Sequence, residues 1–322
     1  MNRIVTLLTL LLALRASGAS LGEPLVFTGT CDASAAIALS GDLFVVASDE
    51  DNILRFYRPS QPGRPVQEFD LRPILSVKPK SEADLEGAAR LGSRVFFITS
   101  HGRNAEGKAA PNRHRLFAVE FTEKDDAVGV QPVGKPYINL VTDLANDPKY
   151  ARFHLAKAAE LAPKSPGGFN IEALAATPDG TLLIGFRSPI PDGRALLAPL
   201  LNPNDVIAGQ SPRFGEPLQL DLGGLGLRDI ASTAQGYYLL AGPAHGGNQS
   251  QLFFWAGGDA TPRIVSDVQF PKINPEGICF LGVGGGSDFL IVSDDGTRKI
   301  KGKECKSLPE SDRQFRAYRF TP

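Results

Sequence analysis

Short apolar runs separated by small polar turns recur along the chain, and a similar phrase leads into each. Asp84-Leu85-Glu86-Gly87 precedes Ala88 and Ala89, a Gly92-Ser93 turn and Val95-Phe96-Phe97-Ile98. Asn170-Ile171-Glu172-Ala173 precedes a Pro178-Asp179-Gly180 turn and Leu182-Leu183-Ile184, and Leu227-Arg228-Asp229-Ile230 precedes Gln235-Gly236 and Tyr237-Tyr238-Leu239-Leu240. Asn274-Pro275-Glu276-Gly277 precedes a glycine-rich turn and Phe289-Leu290-Ile291-Val292, and a degenerate copy, Asp32-Ala33-Ser34-Ala35, precedes Leu43-Phe44-Val45-Val46. Copies spaced by roughly fifty residues or more predict a radial β-repeat. The expected fold class is all-β: a single β-propeller of five blades, each of four strands.

The turn residues divide the blades. Blade one is expected to hold 32–39, 43–47, 53–57 and 66–71, and blade two 86–90, 95–99, 116–121 and a weaker strand near 133–140. Blade three takes 171–177, 182–186, 195–200 and 217–220; blade four takes 229–233, 237–241, 252–255 and 263–265. The last blade has 276–281, 289–293 and 315–320, so the strand at 25–30 is expected to complete it and close the ring. A helical insertion is expected at about 143–163, with Asp147 as N-cap, Pro148 at the first helical position, an Ala-rich run from Tyr150 to Leu161 and Pro163 as the stop. Leaning over the channel mouth and packing on the rim are both open to it. The basic loop from His101 to Arg115 is longer than a hairpin needs.

Composition fits this reading. Of the 322 residues, 42% are hydrophobic, and 34 Gly with 25 Pro suit many short strands and turns. Residues 1–19 read as a secretory signal: Arg3 is the basic start, Ile4 to Leu14 the apolar stretch, and Ser17-Gly18-Ala19 a small-residue cleavage site that makes Ser20 the mature N-terminus. The propeller then occupies 20–322, and a periplasmic or secreted location follows. The apolar stretch is too short for a comfortable span, so no membrane anchor is expected. The 34 basic and 35 acidic residues nearly balance, which gives no reason to invoke nucleic acid. Three cysteines, Cys31, Cys279 and Cys305, allow three pairings. The repeat places Cys31 and Cys305 at the same end of the last blade and favours that pair, leaving Cys279 as a small buried hydrophobe.

The first strand of each blade lines the channel, so the lead-in residues converge on one opening. Small neighbours such as Gly87, Ala173 and Gly277 suit the crowding there. Glu86, Glu172, Asp229 and Glu276, with Asp32 or Ser34 from the first copy, are expected to form a partial ring. Facing carboxylates need a cation, a proton or Arg/Lys partners. An oxygen-only donor set points to Ca2+ or Mg2+ if a metal is held; Arg228 and Arg187 could instead neutralise the ring internally, and a cationic or polyhydroxylated ligand is the third possibility. Asp84, Arg228, Asp294 and Asp295 flank the ring as binding residues. His101, Arg187 and Glu172 are the candidates for catalysis, with His101 as general base.

The lead-ins, together with Gly185-Phe186-Arg187-Ser188-Pro189 and Ser293-Asp294-Asp295-Gly296, resemble a bacterial family of exported, propeller-like proteins known as domain of unknown function 3616. That resemblance covers nearly the whole mature chain and implies no established catalytic residue. More loosely, the Glu-Gly lead-in is similar to phytase-like esterase and gluconolactonase-type propellers, a likeness that implies a divalent metal in the channel. The expected function is binding of a small polar ligand or divalent cation at an acidic channel mouth by a monomer. The alternatives are a metal-dependent hydrolase of a phosphoester, lactone or glycoside, and a scaffold for another exported protein.

Overall fold

The computed structural model describes residues 21–322 apart from 41, 79, 125–126, 248, 266–267, 271 and 283–286. The predicted signal segment and most of the glycine-rich turn expected before Phe289 lie outside the described residues.

Among the described residues five four-stranded antiparallel sheets form the blades, and a small two-stranded sheet pairs Lys299–Ile300 with Lys303–Glu304. Blade one is built from Ala35–Ser40, Leu43–Ala47, Ile53–Tyr57 and Gln67–Asp70, and blade two from Leu85–Leu91, Arg94–Thr99, Leu116–Lys124 and Ala127–Tyr137. Blade three uses Asn170–Ala176, Leu182–Ser188, Ala195–Leu200 and Leu218–Leu220; blade four uses Gly226–Thr233, Gly236–Gly242, Gln251–Trp255 and Arg263–Ile264. In the last blade Pro275–Phe280, Phe289–Ser293 and Gln314–Phe320 are completed by the N-terminal strand Leu21–Thr28, which pairs Phe27 with Phe315. The first strands of successive blades touch one another and return from the last blade to blade one, so the ring is a closed five-bladed propeller.

Alternating side chains of each sheet face the two neighbouring blades, and a separate apolar cluster fills each interface. Val45, Leu54 and Phe56 meet Phe97 and Val119 between blades one and two. At the closing seam Phe27, Phe44, Tyr57 and Phe315 form one aromatic cluster. Near the axis the blades leave no room for larger residues: a Cβ on Gly87 would lie 3.0 Å from the Leu174 amide nitrogen. Gly226 in the glycine-rich stretch marks a similar close approach, to the Arg187 carbonyl.

The helical insertion departs from expectation. Asp147 accepts the Lys149 amide at 3.0 Å and Pro148 follows it, but together they open a 3-10 turn over Pro148–Phe153. His154, at φ 52°, breaks the run, and only Leu155–Ala158 continues as helix. Tertiary packing overrides the local propensity here, because Tyr150 and Phe153 are drawn into the core against Phe214 and each other. The more regular helix, Leu140–Asn146, begins where the strand near 133–140 is expected to end and runs into the start of the expected insertion. Leu140, Leu144, Tyr150 and Leu155 join the cluster between blades two and three, so the insertion packs on the rim.

Candidate functional site

Each inner strand begins with an irregularity that aims one side chain. In blade two Leu85 pairs with Thr99 and Gly87 with Ile98, which leaves Glu86 as an extra residue. The register likewise skips Glu172 in blade three, Arg228 in blade four and Glu276 in the last blade. Such a bulge rotates the extra side chain out of the regular alternation. Ser34, just ahead of the blade-one strand, takes the corresponding place, with its amide bonded to the Ala47 carbonyl at 3.0 Å.

This register corrects the ring. Blade four contributes Arg228, and the carboxylate of Asp229 turns elsewhere, accepting the amides of Ile230 and Ile278, both at 2.8 Å. Asp229 therefore ties blade four to the last blade, and it does not line the mouth. Gly242 makes room for Arg228, whose Nε would otherwise collide with a Cβ there. Arg228 is buried and forms an ion pair with Glu276.

A cavity of about 360 Å3 opens at this end of the channel, and its walls include Glu86, Glu172, Glu276, Asp84, Arg187 and Asp294. Five of these six groups are oriented by fixed partners. Arg187 pairs with Glu172 at 2.5 Å and donates to the Pro243 carbonyl at 3.1 Å. Arg113, from the long blade-two loop, pairs with Asp84 at 2.7 Å. Asn170 donates to Glu172 at 2.7 Å, and Asn274 donates to Glu276 and Asp294, both at 2.9 Å. In blade three and the last blade the residue two before the bulge, Asn170 or Asn274, thus serves as a positioning residue for the glutamate.

Other predicted residues sit away from the mouth. Asp295 is buried, accepting Arg316 at 2.6 Å and 2.8 Å, and its amide donates to the Cys31 carbonyl at 2.9 Å. His101 is also buried and does not line the cavity; its Nδ1 lies 2.8 Å from the Thr99 carbonyl, and burial with His114 nearby pushes its pKa down to about 3. Cys31 is bonded to Cys305, and Cys279 is a free, buried thiol. Sequence reasoning left out Asn170 and Arg113 as site residues, and it placed Asp49 on this face without naming it as one. Asp49 follows the blade-one second strand, as Asp294 follows that of the last blade, so the repeat held a signal for it. The loop path that delivers Arg113 has no such periodic signal.

Burial is the largest influence on most of these carboxyls. It raises Asp49 and Glu86 well above the usual carboxylate range, with neighbouring carboxylates adding to the effect. Glu172 is raised by burial, against the opposing pull of Arg187. Asp32 is raised by burial and by its contact with Asp294; burial opposes charge on Asp294 too, but Asp32, the Gly296 amide and Asn274 hold that carboxyl below its usual value.

A carboxyl raised in the folded state binds more protons there than in the unfolded chain. Its favourable contribution is present below the unfolded pKa near 4 and is lost as pH rises toward the folded value. Ligand-free protein is therefore expected to melt lower at pH 8 than at pH 5. Glu86→Gln is expected to recover part of that loss at pH 8, because it removes the buried charge. Thermal melts of both proteins across this range check it; an unchanged pH slope in the variant would show that Glu86 ionises freely.

Fold and site together define a five-bladed propeller with an acidic, partly Arg-compensated channel mouth. Residues 122–299, more than half of the chain, match the model of the family described as "Protein of unknown function (DUF3616)", and the protein belongs to that family. No curated protein matches the chain in sequence. Glutaminyl cyclase of Myxococcus xanthus is similar at 13% identity over 94% of this chain and 97% of that one, with a TM-score of 0.43. A luciferin-regenerating enzyme is similar at 9% identity over 93% and 96%, with a TM-score of 0.44. Trypanosoma rangeli sialidase is similar at 11% identity over 85% and 43%, with a TM-score of 0.41.

Proposed function

We propose that this propeller is a binding protein whose channel mouth takes a small, polar, positively charged ligand. The observation that carries this reading is an excess of buried acceptors. Glu172, 3% exposed, has one carboxylate oxygen, Oε2, without a hydrogen-bond partner, and Asn170 Oδ1 and Asp49 Oδ1 are in the same condition. Asp49 and Glu86 form no ion pair with Arg or Lys among the described residues. A ligand bearing ammonium or guanidinium groups would satisfy these oxygens and offset the mutual repulsion of the carboxylates.

The cavity volume suits a small organic cation better than a bare ion. Ca2+ or Mg2+ would find oxygen donors of the right kind in Asp49, Glu86, Glu172 and Glu276. Among the described residues, however, no three His, Cys, Asp or Glu side chains are already grouped for a metal. Hydrolysis is supported less well, because His101, its proposed base, lies off the cavity and is neutral over the physiological range. The signal-like N-terminus and the Cys31–Cys305 bond support a periplasmic or secreted protein. Among the described residues no helix is long and apolar enough to cross a membrane.

The test is titration calorimetry of the full chain with Ca2+, Mg2+, arginine and a short diamine. At least one is expected to bind saturably, with Glu172→Gln and Glu86→Gln each weakening it about tenfold or more, the loss of one charge-assisted contact. An organic cation winning over both ions supports the leading form of the proposal. No saturable binding by any of the four, or variants that bind as well as the wild type, would overturn it.

A further inference from the structure

The long loop of blade two encloses a second cavity, of about 400 Å3, whose character is opposite to that of the mouth. Its polar lining is Arg103, Asn112, His114 and Arg115, with apolar walls from Ala109, Ile138 and neighbours; no Asp or Glu lines it. The two guanidinium groups are anchored by carbonyls. Arg103 donates from Nε to Ala159 at 3.0 Å and from Nη1 to Gly107 at 3.1 Å. Arg115 donates from Nε to Leu75 at 3.2 Å and from Nη1 to Pro111 and His114 at 2.9 Å and 2.8 Å.

Carbonyl partners fix a guanidinium in place without neutralising it. Among the described residues neither arginine has a carboxylate within ion-pair distance, and neither Nη2 has a hydrogen-bond partner. Arg113, between them in sequence, differs sharply: it turns to the channel mouth and pairs with Asp84 and Glu82. The loop thus sends one arginine to the acidic site and keeps two charges over a cavity of their own. Burial disfavours the charge on both Arg115 and His114, and a bound anion would offset that cost. Behind His114 lies the His101 ring, centroids 5.5 Å apart, with Nδ1 near the Thr99 carbonyl and Nε2 without a partner.

We infer that this cavity is an oxyanion-binding site, separate from the channel mouth, for a small ligand that carries a carboxylate or phosphoryl group on a short apolar stem. The Nη2 groups of Arg103 and Arg115 meet the oxygens, the Asn112 amide adds a neutral donor, and Ala109 with Ile138 contacts the stem. Planar guanidinium groups with free N–H pairs suit either kind of anion.

Calorimetry of the full chain with inorganic phosphate and with propionate separates the two ligand chemistries. At least one anion is expected to bind saturably, the tighter one naming the group recognised. Arg115→Gln is expected to weaken it about tenfold or more, as loss of a charged donor does. Since Arg115 also anchors the loop, Ala109→Glu is the second variant: it keeps every anchor, adds a negative charge at the wall and should weaken binding at least as much. Glu172→Gln, at the mouth, should leave the anion affinity unchanged. Absence of saturable binding by both anions, wild-type affinity in Ala109→Glu, or equal weakening in Glu172→Gln would each overturn the assignment.

Discussion

The Cys31→Ala/Cys305→Ala double variant is expected to melt on the order of 10 °C below the wild type. The bond joins residues 274 positions apart in sequence, one just ahead of the blade-one inner strand and the other in the last blade. Chain-entropy arguments give a cross-link closing a loop of this size about 5 kcal/mol, and such a change moves the midpoint of a domain this large by about 2–4 °C per kcal/mol. The crossing is also where the ring closes. Without it, closure rests on the N-terminal strand, the aromatic cluster of Phe27, Phe44, Tyr57 and Phe315, and the Asp295 amide on the Cys31 carbonyl. Melting of the wild type with and without reductant, beside the double variant, makes the measurement. Cys279→Ala serves as control: it trims a core thiol and should give a smaller loss that reductant does not mimic. A wild-type midpoint insensitive to full reduction would show that the other closure contacts suffice.

Most of the architecture was legible because it is periodic. Alternating apolar residues bounded by Gly, Asp and Pro set nineteen of the twenty blade strands to within a few residues, the fourth of blade two starting earlier, at Ala127, and a leftover N-terminal strand implied the closure. The site was harder to read for a local reason. Leu227-Arg228-Asp229-Ile230 offers an acid one place later than Leu85-Glu86-Gly87, and similarity of residue type drew Asp229 into the ring. The bulge decides otherwise, since it is counted from the paired neighbours Leu227 and Asp229 and leaves Arg228 as the extra residue. One position along a strand reverses the direction of a side chain, so a one-residue misalignment exchanges a ring carboxylate for a ring cation. The second cavity is less legible still. Its arginines lie in a loop with no period, and only folding shows that Arg113 finds carboxylates while Arg103 and Arg115 find carbonyls.

Arg228→Met is expected to destabilise the protein by about 3–5 kcal/mol near pH 8, the usual cost of stranding one partner of a buried ion pair. Arg228 is 2% exposed, and the carboxylate it leaves behind, Glu276, stands near Glu172, whose own charge Glu276 already disfavours. Two further measurements separate this account from a simple packing defect. In Arg228→Met/Glu276→Gln the stranded charge is gone, so much of the loss should be recovered, whereas a steric defect would persist. The deficit of the single variant should also depend on pH. A stranded carboxylate costs free energy only while it is charged, so the penalty should be small where carboxylates are protonated and should grow as pH rises above that range. Melts at pH 4.5 and pH 8 should therefore show a small gap and a large one. Equal gaps at the two pH values, with no recovery in the double variant, would mean that Arg228 matters for its volume against Gly242 and not for its charge.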